Sequence, residues 1–529
     1  MQNKKLQVWL PLIFALVMVW GMIIGYQLKG VAKKDSFFGS SSSSGGTLPE
    51  VLDLIKNRYV DALPQDSIND ATIDDLLSHL DPHSVYIPAS DFNDVNDELM
   101  GNFQGIGIEF QMFNDTVNIV RVIKDGPSDK AGLQVGDKLL NADDSIGLAG
   151  KKLNADDVRK KLRGNAGSTI KITLLRNGTQ KIYNIRRGNI PVSSIDAAYI
   201  IAPQTGYLRI NKFADHTYKE FMQSMESLQK QGMQKLILDL RDNGGGLLSE
   251  SVAIADEFLD GDKLIVYTQG NKSPRADYRC SKDGIFEKGK LVVLVDETSA
   301  SASEVLSGAL QDWDRATIIG RRTFGKGLVQ QQYQLSDGSA VRLTIARYYT
   351  PLGRNIQKPY NKGKEKYEEE LIERFHDGEV LKGDTAKPAG KEFKTASGHI
   401  VYGGGGITPD VFVPLDTTYN STTIAKLYFK NTLNTFVYNY YVQHKQQFQS
   451  LSTAKEIDKN FNTTDSWHVL QQYAAKDSIS LNNITAKQKQ EILQQAEALL
   501  ARQITGTAGY FEVLNNDDIT VKKALEAMR

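Results

Sequence analysis

The sequence predicts a multidomain α/β protein: an α/β core with an inserted β-rich domain, a helical region before it and a helical extension after it. Three observations carry that reading. At 529 residues the chain is too long for one hydrophobic core. From about Tyr199 to Asp410 strand-like and helix-like apolar runs alternate, the pattern of an α/β layer architecture. From Phe103 to about Gly188 the pattern shortens to that of strands, while on either side of these regions it is helical.

Composition narrows the function class. Hydrophobic residues are 40% and charged residues 24%, ordinary values for a folded protein. Lys plus Arg (63) balances Asp plus Glu (63), so the basic surplus of a dedicated nucleic-acid binder is missing and no nucleic-acid partner is expected. The lone Cys280 excludes an intramolecular disulfide and a Cys-rich zinc site. The seven histidines form no HExxH pair or other tight ligand spacing. The expectation is no metal and no other cofactor.

Residues 1–30 read as a membrane anchor. Lys4-Lys5 precede an uncharged stretch from Leu6 to Leu28, closed by Lys29 and long enough to cross a bilayer core as a helix. A secretory signal has a shorter apolar region and a small-residue cleavage site, for which Gly30-Val31-Ala32 is a weak match. Lysines flank the stretch on both sides, so the positive-inside rule does not orient it. Residues 31–47 are a flexible Ser/Gly linker in which Gly39 to Gly46 reads GSSSSSGG.

Residues 48–102 have helical spacing in VLDLIKNRYV and ATIDDLLSHL, interrupted by the turn LDPHSVYIP. Residues 103–189 hold the strands FQGIGIEF, TVNIVRVI, DKLLNAD and STIKITLLRNG, with a short helix in NADDVRKKLRG capped by Asn154 or Asp156. In residues 190–416, KLILDLR leads through glycines into LLSESVAIADEFL, and KLVVLVD leads into SASEVLSGALQDW. Such strand–turn–helix units place a site at the carboxyl ends of the strands. Residues 417–529 are rich in Asn, Gln, Lys and Tyr, with helical spacing and no legible chemistry. Packing on the core, self-association and docking of an adaptor or regulatory protein all fit this extension.

The segment Gly320-Arg321-Arg322-Thr323-Phe324-Gly325-Lys326 matches most of a phosphate-binding loop, but Gly327 stands where Ser or Thr must hold magnesium. The following LVQQQYQL suits a strand, not the helix that such a loop requires. Nucleotide hydrolysis is a poor reading. Three features fit together better. In ETSASASEVLSGAL a serine falls at a helix amino terminus, where free N–H groups and the dipole favour developing negative charge. Lys326 lies between two glycines that permit close approach. The glycines of RDNGGG, Arg241 to Gly246, offer backbone N–H groups to an oxyanion. A serine hydroxyl needs a base, no histidine is near in sequence, and a lysine serves only if burial leaves its amine neutral. Taken singly, each feature is more often a helix cap, a surface turn or a plain loop. Spacing does not choose among Ser299, Ser301 and Ser303.

The motifs LDPHSVY, FQGIGIEF, LILDLRDNGGG, SASASE, IIGRRTFGKGLVQ and GGGGITPD, in this order from about Leu52 to Asp410, resemble those of the carboxyl-terminal processing (tail-specific) proteases. The resemblance implies a crotonase-like α/β serine protease core with an inserted PDZ domain. It implies Ser301 as nucleophile, Lys326 as general base and Gln330 as the residue that orients the amine. The N–H groups of Gly246 and Ala302 are the implied oxyanion donors, with Gly245 as a nearby alternative. Gly105-Ile106-Gly107-Ile108 matches a PDZ carboxylate-binding loop, and the strand from about Glu109 is the edge that accepts a peptide. One departure is Gly244, where the family commonly has proline; the freer turn is expected to leave the oxyanion site less rigid at rest.

The implied activity is endoproteolysis of proteins with exposed apolar C-terminal tails, in a bacterial envelope, with the body on the extracytoplasmic side of the inner membrane. A catalytically idle, membrane-tethered PDZ scaffold is the alternative, and the intact Ser301, Lys326 and Gln330 weigh against it. Self-association is open, as is whether the PDZ domain activates or inhibits.

Overall fold

The computed structural model describes residues 47–60, 65–113, 115–143, 146–150, 153–383, 390–416 and 421–529. The anchor expected at 1–30 and nearly all of the linker lie outside them. No helix among the described residues is long and apolar enough to cross a membrane. The chain divides into two compact units, residues 1–69 and 70–529. In the first, the helix Thr47–Arg58 is the main described element.

The second unit holds the β-rich domain, the α/β core and the extension. In the β-rich domain the strand Ile108–Phe113 lies at one edge of an antiparallel sheet, beside Thr116–Val122. The helix Ala155–Leu162 is capped by Asn154, whose side chain accepts from the Asp157 N–H in a capping box. Val117, Ile119, Leu139, Ile170 and Ile172 form its fully buried core. A ribbon of Asn102–Gly105 against Gly188–Pro191 closes the domain where the chain enters and leaves.

The core is a six-stranded sheet in the order Ile195–Ala202, Thr205–Ile210, Lys235–Asp239, Leu291–Val295, Thr317–Gly320, Val411–Phe412. The first pair is antiparallel and the rest are parallel. Leu291–Val295 is buried throughout, as expected of a parallel strand covered on both faces. One face packs against Phe221, Ile254, Val305 and Leu306 of the intervening helices and Phe258 of the turn that follows one of them. The other is covered by Val521, Ala524 and Met528 of the helix Ile519–Ala527 and its C-cap, against Tyr207, Ile237, Val292 and Ile319. The extension is therefore not a separate body: most of it has its own apolar core, but its last helix completes the layer structure of the α/β core.

A second, antiparallel sheet carries Leu328–Gln334 and Ala340–Tyr349. Val85–Ile87 pairs with Ala340–Arg342 and so ties the LDPHSVY segment to this sheet.

Candidate active site

Three loops leave the carboxyl ends of adjacent parallel strands: residues 240–246 after Lys235–Asp239, 296–301 after Leu291–Val295, and 321–327 after Thr317–Gly320. They meet at one cleft of about 670 Å³ whose lining includes Gly245, Gly246, Ser301, Ala302, Lys326 and Gln330. The structure thus brings together every residue expected at the proteolytic centre.

The three serines are sorted by what their hydroxyls touch. Ser299 and Ser303 are fully buried, and their Oγ atoms donate to the carbonyls of Leu240 (2.8 Å) and Asn243 (2.9 Å). Ser301 is only half-buried and lines the cleft. Its backbone is held at φ 55°, ψ −113°, a left-handed conformation costly for a residue with a Cβ, directly before the helix Ala302–Asp312. A strained turn at a helix start presents a hydroxyl to a cleft and to the positive end of the helix dipole.

Glu304 explains how Ser301 and Lys326 stay in register. Its carboxylate is fully buried and accepts from Ser301 N–H (2.9 Å), Lys326 N–H (2.8 Å), Gly325 N–H (2.7 Å) and the Thr323 hydroxyl (2.5 Å). One carboxylate therefore joins the two loops. Burial pushes its pKa up, against the opposing effect of these donors. The buried Tyr348 hydroxyl adds a second tie, donating to the Ser301 carbonyl at 3.0 Å and lying against the Lys326 carbonyl.

Lys326 is held below the ordinary lysine range, first by burial and then by the positive charge of Arg342, while Glu304 and Asp81 oppose the shift. Glu304 and Asp81 act on its amine through their charge alone, without a hydrogen bond to it. Gln330 follows on the strand Leu328–Gln334, at a bulge against Ala340–Tyr349. Its Nε2 donates to the His83 carbonyl at 2.5 Å, which leaves the amide oxygen as the group able to accept from a lysine amine.

That bond assigns a task to the LDPHSVY segment. Asp81 accepts from the N–H groups of His83 (2.9 Å) and Ser84 (3.0 Å) and from the hydroxyls of Ser84 (2.6 Å) and Thr344 (3.0 Å). The His83 ring meets the Tyr367 hydroxyl at 2.9 Å. Burial, with Lys326 adding to it, pushes the His83 pKa down to about 4, so the ring is neutral near neutrality. Sequence reasoning gave none of Asp81, His83, Glu304 and Tyr348 a role. The motif containing the first two was visible, but not its pairing with a strand far along the chain.

The glycine turn separates the oxyanion candidates. The Gly245 N–H donates to Asn243 Oδ1 at 2.9 Å, so it is already engaged. The N–H groups of Gly246 and Ala302 donate to no acceptor among the described residues. Gly246 has φ 144°, and a Cβ there would come within 2.1 Å of the Phe213 carbonyl oxygen, so only glycine fits. At Gly244 a Cβ would meet nothing within 4 Å.

A second cavity, of about 700 Å³, is lined by Gly105, Ile106, Gly107 and Ile108. Gly107 has φ 75°, and the N–H groups of Ile106 and Gly107 donate to no acceptor among the described residues. Two adjacent free N–H groups beside an open strand edge suit a terminal carboxylate and an added strand. No cluster of ligating side chains that could hold a metal ion is present among the described residues.

Comparison with known proteins identifies the family. Residues 204–363 match peptidase family S41, residues 104–186 a PDZ domain, and residues 423–506 a family of unknown function. A probable CtpA-like serine protease of Staphylococcus haemolyticus is 36% identical over 57% of this chain, which spans 60% of that relative's length. A carboxy-terminal-processing protease of Bartonella bacilliformis is 36% identical over 58% of this chain and 71% of its own length. Among solved structures, a photosystem II D1 C-terminal processing protease is 27% identical, with 70% of this chain and 88% of that chain covered at a TM-score of 0.37. The chain belongs to peptidase family S41, the carboxy-terminal-processing serine proteases, with a PDZ domain joined to the S41 core.

Proposed function

We propose that this protein is a serine endopeptidase that captures an exposed C-terminal tail on its PDZ domain and cleaves by Ser–Lys acyl transfer. The observation that carries the reading is the cleft itself: a serine on a strained turn and a largely buried lysine, with no carboxylate hydrogen-bonded to its amine among the described residues, line the same cleft. The neutral amine of Lys326 takes the Ser301 proton as Oγ attacks the scissile carbonyl. The N–H groups of Gly246 and Ala302 hold the oxygen that becomes negative. The lysine ammonium then protonates the leaving amine, and on its return to the neutral form it activates the water that releases the acyl group. Gln330 orients the amine through its side-chain oxygen. Gly245 keeps the turn in shape through Asn243 and donates nothing to the substrate.

Uncharged Leu6 to Leu28 supports a membrane anchor, and the family resemblance supports the extracytoplasmic side of the inner membrane for the body, where envelope proteins with loose tails are the substrates. The test is cleavage of an unfolded reporter with an apolar or a charged carboxyl terminus, by wild type, Ser301→Ala and Lys326→Ala. Cleavage that favours the apolar end and disappears in both variants is expected. Cleavage that survives Ser301→Ala refutes the assignment of the nucleophile.

A further inference from the structure

The cavity at the PDZ loop is not walled by the PDZ domain alone. Its opposite side comes from the helical extension: Val437 of the helix Thr432–Gln443, and Gln495, Leu499 and Arg502 of the helix Ala486–Thr505. The last three recur at the spacing of one helix face. Direct contacts between the extension and the PDZ domain hold this wall in place. The Tyr438 ring packs on Phe113 at 5.0 Å, and together with Val120 they form a small buried cluster. An Arg502 guanidinium nitrogen lies 3.5 Å from Glu109 on the edge strand.

The charge in the cavity is one-sided at the edge strand. Arg121, Arg159, Arg163 and Arg502 line it; Arg159 pairs with Asp156 and Arg163 with Asp94 outside the lining, and Glu109 is the carboxylate among the lining residues. Arg121 at 3.0 Å and Arg502 at 3.5 Å share that single carboxylate, which leaves a positive excess beside the edge strand. A peptide added antiparallel to Ile108–Phe113 places its terminal carboxylate at the loop and its upstream residues alongside Glu109 and Arg502. Leu499 and Val437 supply apolar surface to the same occupant, and an arginine pairs best with a planar carboxylate.

We infer that the extension is the second wall of the tail-binding groove and selects C-terminal tails that carry an acidic side chain shortly before an apolar end. The inference rests on the tail-capture reading above and gives residues 423–506 a task in substrate selection. The test uses the full chain carrying Ser301→Ala, with fluorescent peptides sharing one apolar end and bearing Glu, Gln or Lys upstream, plus a version of each amidated at the terminus. Anisotropy is expected to rank Glu over Gln over Lys, with about fivefold between the first two at low salt and less as salt rises. Arg502→Glu is expected to reverse the order, so that the lysine tail binds best, and amidation to abolish binding throughout. Carboxylate-dependent binding that ignores both the upstream residue and Arg502 overturns the second wall and leaves tail capture standing. Binding indifferent to amidation, or no binding of any tail, overturns tail capture itself.

Discussion

Glu304→Gln tests whether one carboxylate sets the geometry of the whole site. The two side chains have nearly the same shape, so the change removes charge and one acceptor and leaves the volume almost unaltered. In the wild type each carboxylate oxygen takes two donors, Oε1 from Thr323 and Gly325 and Oε2 from Ser301 and Lys326. Glutamine keeps one acceptor oxygen and turns an NH2 group toward the other two donors. Hydrogen bonds to a charged acceptor contribute about 1.5–3 kcal/mol each, so two lost bonds amount to about 3–6 kcal/mol before the relief of no longer burying a charge. A net destabilisation of about 2–4 kcal/mol is expected from urea denaturation. Because one pair of donors belongs to Ser301 and Lys326 themselves, loops displaced by a fraction of an ångström lower kcat/KM by about 100-fold, measured well below the melting temperature. Wild-type stability together with kcat/KM within twofold of wild type would falsify the clamp.

Other substitutions probe the surroundings. Lys326→Met is expected to abolish cleavage while raising stability near neutral pH, because a lysine whose folded pKa is depressed carries a burial cost below that pKa, lost as pH rises from it toward the ordinary lysine value. In the wild type, cleavage falls as pH drops through the same pKa, since only the neutral amine accepts the serine proton; a rate indifferent to pH below the ordinary lysine range counts against Lys326 as base. His83 contributes with the same pH sense in a lower window: its folded pKa is depressed from 6.5 to about 4, so stability present above pH 6.5 is lost as pH falls toward 4. The loss is about 3 kcal/mol, and His83→Gln is expected to flatten this acid limb in urea titrations at pH 7 and pH 4.5. For Gly244→Pro, the added Cβ meets open space at a position outside the left-handed region, and the replaced N–H donates no bond among the described residues. It is expected to add about 0.4–1 kcal/mol and to change turnover; unchanged kcat means that the freedom of this turn has no bearing on the oxyanion site.

The strand-to-helix transitions at 235–256 and 291–312 were legible because apolar runs, small residues and helical spacing are local signals. The choice of Ser301 was not: Ser299 and Ser303 share its composition, and only the carbonyls of Leu240 and Asn243, supplied by another loop, remove them from the cleft. Glu304 had no legible role for the same reason, since three of its four donors come from the 323–326 loop. The distinction between Gly245 and Gly246 turns on a single side-chain oxygen, Asn243 Oδ1, which no spacing rule reveals. The extension appeared inert because its contributions to the sheet and to the PDZ groove are made across hundreds of residues of chain, as packing and not as motif.

The helix Ile519–Ala527 sets a clock on the birth of the enzyme. The strands from Thr205 to Gly320 leave the ribosome long before the helix that covers their second face, an interval of roughly 10–40 s at typical elongation rates. Through that interval Tyr207, Ile237, Val292 and Ile319 have no cover, and the three loops carrying Ser301, Lys326 and Gly246 lack a finished platform. The order of synthesis therefore runs against the order of assembly: the loops that carry the cleft are made first, and the sheet beneath them gains its second cover only once residues 519–528 exist.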